Sequence, residues 1–274
     1  MLAWIPRGLS RGRVTTAYPR TPESPPEGFQ GPLVVLEPGR GPAELQQLCP
    51  TGAITVADDG TIALDRGRCI LCGACVRAQP RRFAFSRSFE SAVSRRAELI
   101  QRSGAGVGGS SAALPEDGIP RDAQLRRARA ALGQQARALR RSIHVRHIDT
   151  GSDGCEEWEI EALWNPYYDI ARLGFQLTSA PRHADILMAS GGVTAPMREP
   201  LLRTWELMPE PKALIAVGTD ACSGGLAAPG GLVAGGIDQV LPVDVYVPGS
   251  PPAPIALIDA LLLAVGRLRA EVRG

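Results

Sequence analysis

Cysteine recurs at positions 69, 72 and 75 in Cys-Ile-Leu-Cys-Gly-Ala-Cys, and Gln79 stands before Pro80 where a run of this kind carries a further cysteine. Three thiolates at C-x2-C-x2-C spacing are three of the four ligands of a 4Fe–4S cube. In two-cluster runs the ligation is crossed, so the fourth ligand is a Cys-Pro from the other half. Cys49-Pro50 is such a dipeptide. The same crossing accounts for Gln79, because the second cluster's own triplet falls at positions occupied by Gly39, Pro42 and Leu45. One site is therefore complete, with Cys49, Cys69, Cys72 and Cys75, and the other is missing on both sides. The same soft ligands suit structural zinc, the main rival for this site. Gly73 and Ala74 keep the turn small enough for backbone N–H groups to approach the sulfurs and tune their potential.

The module around these cysteines resembles a two-cluster bacterial ferredoxin reduced to one complete 4Fe–4S cluster. The rest of the composition sets bounds. A formal net charge of +2 over 274 residues leaves no electrostatic footprint of a nucleic-acid binder. Six cysteines in so long a chain favour a metal centre in a reducing compartment over a disulfide framework. The N-terminus lacks an apolar run of signal-peptide length, and the most apolar segment, Ile255 to Leu268, carries Asp259 and is shorter than the roughly 20 residues of a spanning helix. The expectation is a cytoplasmic protein, peripheral on the cytoplasmic side of a membrane, with no transmembrane segment of its own.

Four regions must position the chemistry. Residues 1–43, rich in Pro, Gly and Arg, read as an extended arm with one short strand near Leu33 to Leu36. Residues 44–85 hold the cysteine module. Residues 86–142 read as a Gly- and Ser-rich linker followed by a basic amphipathic helix over Asp122 to Ser142. Residues 143–274 alternate strand-like runs ("HVRHID", "ADILMAS", "KALIAVG", "QVLPVDVYV") with helix-like ones ("PYYDIARLG", "MREPLLRTWELM", "APIALIDALLLAVGRLRAEV"). That alternation calls for a doubly wound, mostly parallel α/β sheet of flavodoxin-like type, with its sites in the loops after the strands' carboxyl ends.

From about Ile143 onward the chain resembles the subunit shared by respiratory complex I, as its B subunit, and by the membrane-bound group 4 [NiFe] hydrogenases. The carriers are "DTGSDGCEEWEIEAL", "NPYYDIARLG", "SAPRHADILMASGGVTAPMREPLLRTWE", "AVGTDACSGG" and "VDVYVPGSPPAP". The resemblance implies a 4Fe–4S cluster in this domain, beside the active site of a large hydrogenase-like or complex I D-like partner, among other subunits of a membrane-bound complex. Laid over this chain, the implied ligand positions are Asp153, Glu156, Asp220 and Ser250, and none is cysteine. Shifting the first loop by one restores only Cys155. Carboxylates are hard ligands, poorly matched to an iron–sulfur cube. The former cavity is open to an acid and arginine network, a hard-cation site, or a proton-conducting set of acids; Glu159 matches a family glutamate tied to proton movement.

The leading expectation is an electron-transfer subunit with a cluster in the N-terminal module and a degenerate second site. It is not a catalyst alone. The alternative is a scaffold that preserves the assembly without carrying electrons through its centre. A flavin in the doubly wound sheet is a third, weaker reading.

Overall fold

The computed structural model describes residues 10, 12–36, 41–103 and 142–266. In the front part, β1 (Leu33–Val35), β2 (Ile54–Val56), β3 (Ile62–Asp65), β4 (Phe83–Phe85) and β5 (Ile100–Arg102) are short. β1 pairs antiparallel with β4, and β2, β3 and β5 form a second antiparallel sheet in that order. A 3-10 turn over Ala43–Leu48 and helix α1 (Ala74–Ala78) close the unit. Leu33, Val35, Leu45, Ile54, Ile62, Leu64 and Phe83 share one core with Cys69 and Cys75.

This unit is wider than residues 44–85. β1, drawn from the expected arm, and β5, drawn from the expected linker, complete its sheets: β1 buries Leu33 and Val35, and β5 extends β3 just after fully buried Leu99. The arm before β1 is also held. Thr16 N–H donates to the carbonyl of Tyr167 at 2.8 Å, and Tyr167 Oη donates to Glu23. The expected basic helix falls on residues 122–141, outside the described residues.

In the rear part, β6 (Ile143–Asp149), β7 (Phe175–Leu177), β8 (Ile186–Ser190), β9 (Ala213–Val217) and β10 (Val245–Val247) form a parallel sheet in the order β7-β6-β8-β9-β10. This is the flavodoxin-like order, whose switch point lies between β6 and β8. The central runs are apolar on both faces because both are covered. Ile215 and Val217 enter one core with the apolar helix α5 (Pro254–Ala264), while Leu214 and Ala216 enter the other with Leu201 of α3 (Ala195–Leu207). α2 (Cys155–Ala162) and α4 (Gly218–Ser223) start in the loops after β6 and β9.

Two expectations need correction. "PYYDIARLG" forms turns and a 3-10 helix over Ile170–Leu173, since Pro166 and Gly174 confine it. The strand in "QVLPVDVYV" is limited to Val245–Val247, with Pro242 ahead of it. Among the described residues, no helix is long and apolar enough to cross a membrane.

Candidate metal centre

Cys49, Cys69, Cys72 and Cys75 converge on one apolar pocket walled by Leu33, Leu48, Ile54 and Phe85. The ligand turn is built from left-handed backbone: Leu71 has φ 55° and Gly73 φ 70°. A leucine there is strained, and left-handed residues stand on both sides of Cys72. Ala53 N–H donates to Cys49 Sγ at 3.2 Å, and backbone N–H groups at Leu71 and Val76 face the sulfurs of Cys69 and Cys75. These donors favour the thiolate. Burial works the other way and pushes the Cys69 thiol up to about 12, and it raises the Cys75 thiol too.

Exposure differs around the pocket. Cys69 and Cys75 are buried, Cys49 is intermediate and Cys72 is exposed, and none of the six cysteines is in a disulfide. Four thiols on one apolar pocket, with backbone N–H groups donated to their sulfurs, form a soft donor set that suits an iron–sulfur cube or a tetrahedral zinc ion.

The pocket abuts the rear sheet. Thr219, at the start of α4, is fully buried, and its Oγ1 lies 2.9 Å from the carbonyl of Cys69 and 3.1 Å from that of Gly249. Nearby, Arg96 binds Asp65 through both terminal nitrogens and donates Nε–H to the carbonyl of Cys222 at 3.1 Å. Val93 and Tyr246 exchange backbone hydrogen bonds at 3.0 and 2.8 Å, which adds a bridge to the β10 edge.

The second site gathers acids at the carboxyl ends of the strands. Glu156 is 1% exposed, and its Oε2 accepts from Cys155 Sγ at 3.2 Å. Asp153 is exposed and accepts hydrogen bonds from the Cys155 thiol and from its backbone N–H, which hold its carboxyl below the ordinary value. Burial, assisted by the charges of Asp220 and Asp153, raises Glu156 to about 7; burial likewise raises Asp220. Two glycines make room. A Cβ on Gly218 would stand 2.2 Å from Glu156 Oε1, and one on Gly225 would stand 1.7 Å from Asp220 Oδ1.

Asp153 and Glu156 therefore come together around Cys155, with Asp220 close enough for its charge to act on Glu156. Ser250 follows Gly249 in the loop after β10, and among the described residues no hydrogen bond joins it to the acids. No arginine or lysine among the described residues pairs with the three acids, so this part of the chain does not supply the arginine of the expected network. Cys222 points elsewhere and belongs to the core under α3. Glu159, half-buried on α2, lines a separate cavity of about 200 Å³ with Arg66, Phe89 and Pro252, and burial raises its carboxyl. Beside it in sequence, Trp158 is 76% exposed.

Sequence reasoning missed Thr219, the Arg96–Asp65 pair and the space-making role of Gly218 and Gly225. The glycines had a local signal in "AVGTDACSGG". Thr219 had none, because its partner lies 150 residues earlier.

Known proteins are similar in sequence to the rear part of the chain. The family described as "NADH ubiquinone oxidoreductase, 20 Kd subunit" matches residues 153–264. Formate hydrogenlyase subunit 7 of Escherichia coli strain K12 is 42% identical over 135 residues, 49% of this chain and 52% of the relative, so the chain spans about half that relative's length. "Probable membrane-bound hydrogenase subunit mbhJ" of Pyrococcus furiosus is 37% identical over 52% of this chain and 86% of its own length. The B subunit of NADH-quinone oxidoreductase from Heliobacterium modesticaldum is 42% identical over 43% of this chain and 66% of its own.

Proposed function

The chain belongs to the family of the 20 Kd subunit of NADH ubiquinone oxidoreductase, and from that membership we propose that it is an iron–sulfur electron-transfer subunit of a membrane-associated complex. It holds one 4Fe–4S cluster on Cys49, Cys69, Cys72 and Cys75, and the site at Asp153, Glu156, Asp220 and Ser250 holds none. The single observation that supports this most is the convergence of four thiols, three at C-x2-C-x2-C spacing and one from a Cys-Pro, on an apolar pocket furnished with inward N–H groups.

When bound, the cluster supplies one-electron redox chemistry. The residues supply everything else. Ala53 and the Leu71 turn orient and stabilise thiolates, Leu33 and Phe85 exclude water from the pocket, and Cys72 leaves one edge accessible. The rear domain docks a large hydrogenase-like or complex I D-like subunit from the cytoplasmic side, with exposed Trp158 in the docking face. The domain limits of the proposal follow the chain's own packing: a front unit over 33–102 and a rear unit from 143.

The test is metal and sulfide analysis of anaerobically reconstituted full chain, with EPR after reduction. About four irons and four sulfides per chain and one paramagnetic centre are expected. Zinc without iron, or two distinct centres, overturns the reading.

One observation favours a second reading, a scaffold without through-domain electron transfer: acids stand where the family resemblance implies thiolates. It expects Cys69→Ser to alter assembly of the complex and leave its turnover intact. The electron-transfer reading expects turnover to fall while the assembled complex is recovered.

A further inference from the structure

Thr219 is a small polar residue buried completely between two units of the chain. Its hydroxyl has one proton and faces two carbonyls, of Cys69 at 2.9 Å and of Gly249 at 3.1 Å, while its N–H donates to Gly249 at 2.7 Å. Valine would fill the same volume. The Gly249 carbonyl keeps the backbone N–H whatever the side chain, so it is the Cys69 carbonyl that an apolar side chain would leave without this donor.

We infer that Thr219 is a positioning residue: it pins the Cys69 turn to the start of α4 and to the loop after β10, and so fixes the four-cysteine pocket against the acid-bearing face of the rear domain. Cys69 is the pocket's sulfur residue on that inner side, and exposed Cys72 marks the opposite, solvent edge. The Arg96–Asp65 pair, through its bond to the Cys222 carbonyl, holds the same α4 helix from its other end. With both ends of a six-residue helix tied to the front unit, the pocket is a fixed part of the α/β face and not a swinging carrier. The placement rests on the proposed function only for what the cysteines hold.

The experiment compares Thr219→Val and Thr219→Ser with the unaltered full chain. Hydrogen–deuterium exchange at residues 69–72 is expected to be about tenfold faster in Thr219→Val, with β8 and β9 unchanged and Thr219→Ser restoring protection. Unchanged exchange in Thr219→Val overturns the inference. Should that variant not fold, the unaltered reconstituted protein decides. Paramagnetic broadening of the amides of Thr219, Asp220 and Gly249, with the far ends of β6 and β7 sharp, supports the placement. Sharp amides at full iron and sulfide occupancy overturn it. Failure to bind iron counts against the functional reading instead, and the exchange comparison then decides the placement alone.

Discussion

Arg96 and Asp65 meet side by side, with Nη1 2.8 Å from Oδ1 and Nη2 2.6 Å from Oδ2. The pair is 24% and 19% exposed, so water screens it only in part. Asp65 also accepts from the N–H of Gly67, just before the cysteine turn, while Arg96 Nε–H reaches Cys222 in the rear domain. The two residues thus join a ligand turn to a sheet that lies more than a hundred residues downstream. Burial pulls the Arg96 guanidinium's pKa down, but the hydrogen bonds and charge of Asp65 outweigh it and leave it raised.

Replacing Arg96 by alanine should therefore cost about 1–3 kcal/mol, because Asp65 keeps its charge in a half-buried seam without its partner. Lysine should recover only part, since an ammonium cannot span both carboxylate oxygens and the carbonyl together. Chemical denaturation checks this. In the unaltered chain, probes in the front unit and in the parallel sheet are expected to report one midpoint. In Arg96→Ala the front unit should melt first.

Serine at Cys49 or Cys72 should lower iron binding to well under half of the unaltered level, even though these positions lie in separate segments. A hydroxyl is a poor ligand for a soft iron–sulfur centre. Cys222→Ala is the contrast. Its side chain is 1% exposed in the core beneath α3, away from both sites, so the expected result is a loss of about 1 kcal/mol in stability with iron content unchanged. Equal iron loss in all three would show that folding, not ligation, was being measured.

How much of this was legible in the chain depends on how local each cause is. β8 and β9 could be read because strands covered on both faces are buried throughout, and β6 because its apolar residues Ile143, Val145 and Ile148 are spaced along one short run. The cysteine set could be read because ligation fixes spacing. By contrast, the segment from Phe89 to Arg102 looked like linker: it is polar on average, and its structural weight rests on Leu99, fully buried, and on Val93, which bonds to the β10 edge. β7 has three residues and no distinguishing pattern. α4 is bordered by Gly218 and Gly224, both poor helix residues, and persists because Thr219 and the Cys222 carbonyl are tied elsewhere. Partnerships of this kind have no signature at either residue alone.

Gly218 and Gly225 carry a prediction about the acid site. Both have positive φ, at 89° and 52°, and a methyl group on either would run into a carboxylate oxygen of Glu156 or Asp220. Gly218→Ala should cost about 2–4 kcal/mol, from left-handed backbone strain and displacement of a buried carboxyl. If the clash is the cause, adding Glu156→Ala should return about 1 kcal/mol or more, measured as a coupling energy in a double-mutant cycle. Strict additivity would mean that the backbone conformation alone demands glycine.

Glu156 itself should give the fold a pH dependence opposite in sign to that of a salt-bridged acid. Its ordinary value is 4.5, and burial raises it to about 7, helped by the neighbouring charges of Asp220 and Asp153. Between those limits the folded chain holds a proton that the unfolded chain has released, so stability is fully present below about pH 4.5 and declines as pH rises through 7. The loss attributable to this group is up to about 3 kcal/mol. Glu156→Gln keeps the shape and removes the titration. Urea midpoints of the metal-free chain across this range should fall with pH in the unaltered protein and flatten in the variant. A slope that survives the substitution would assign the effect to Asp220, whose carboxyl burial also raises, and Asp220→Asn would then remove it.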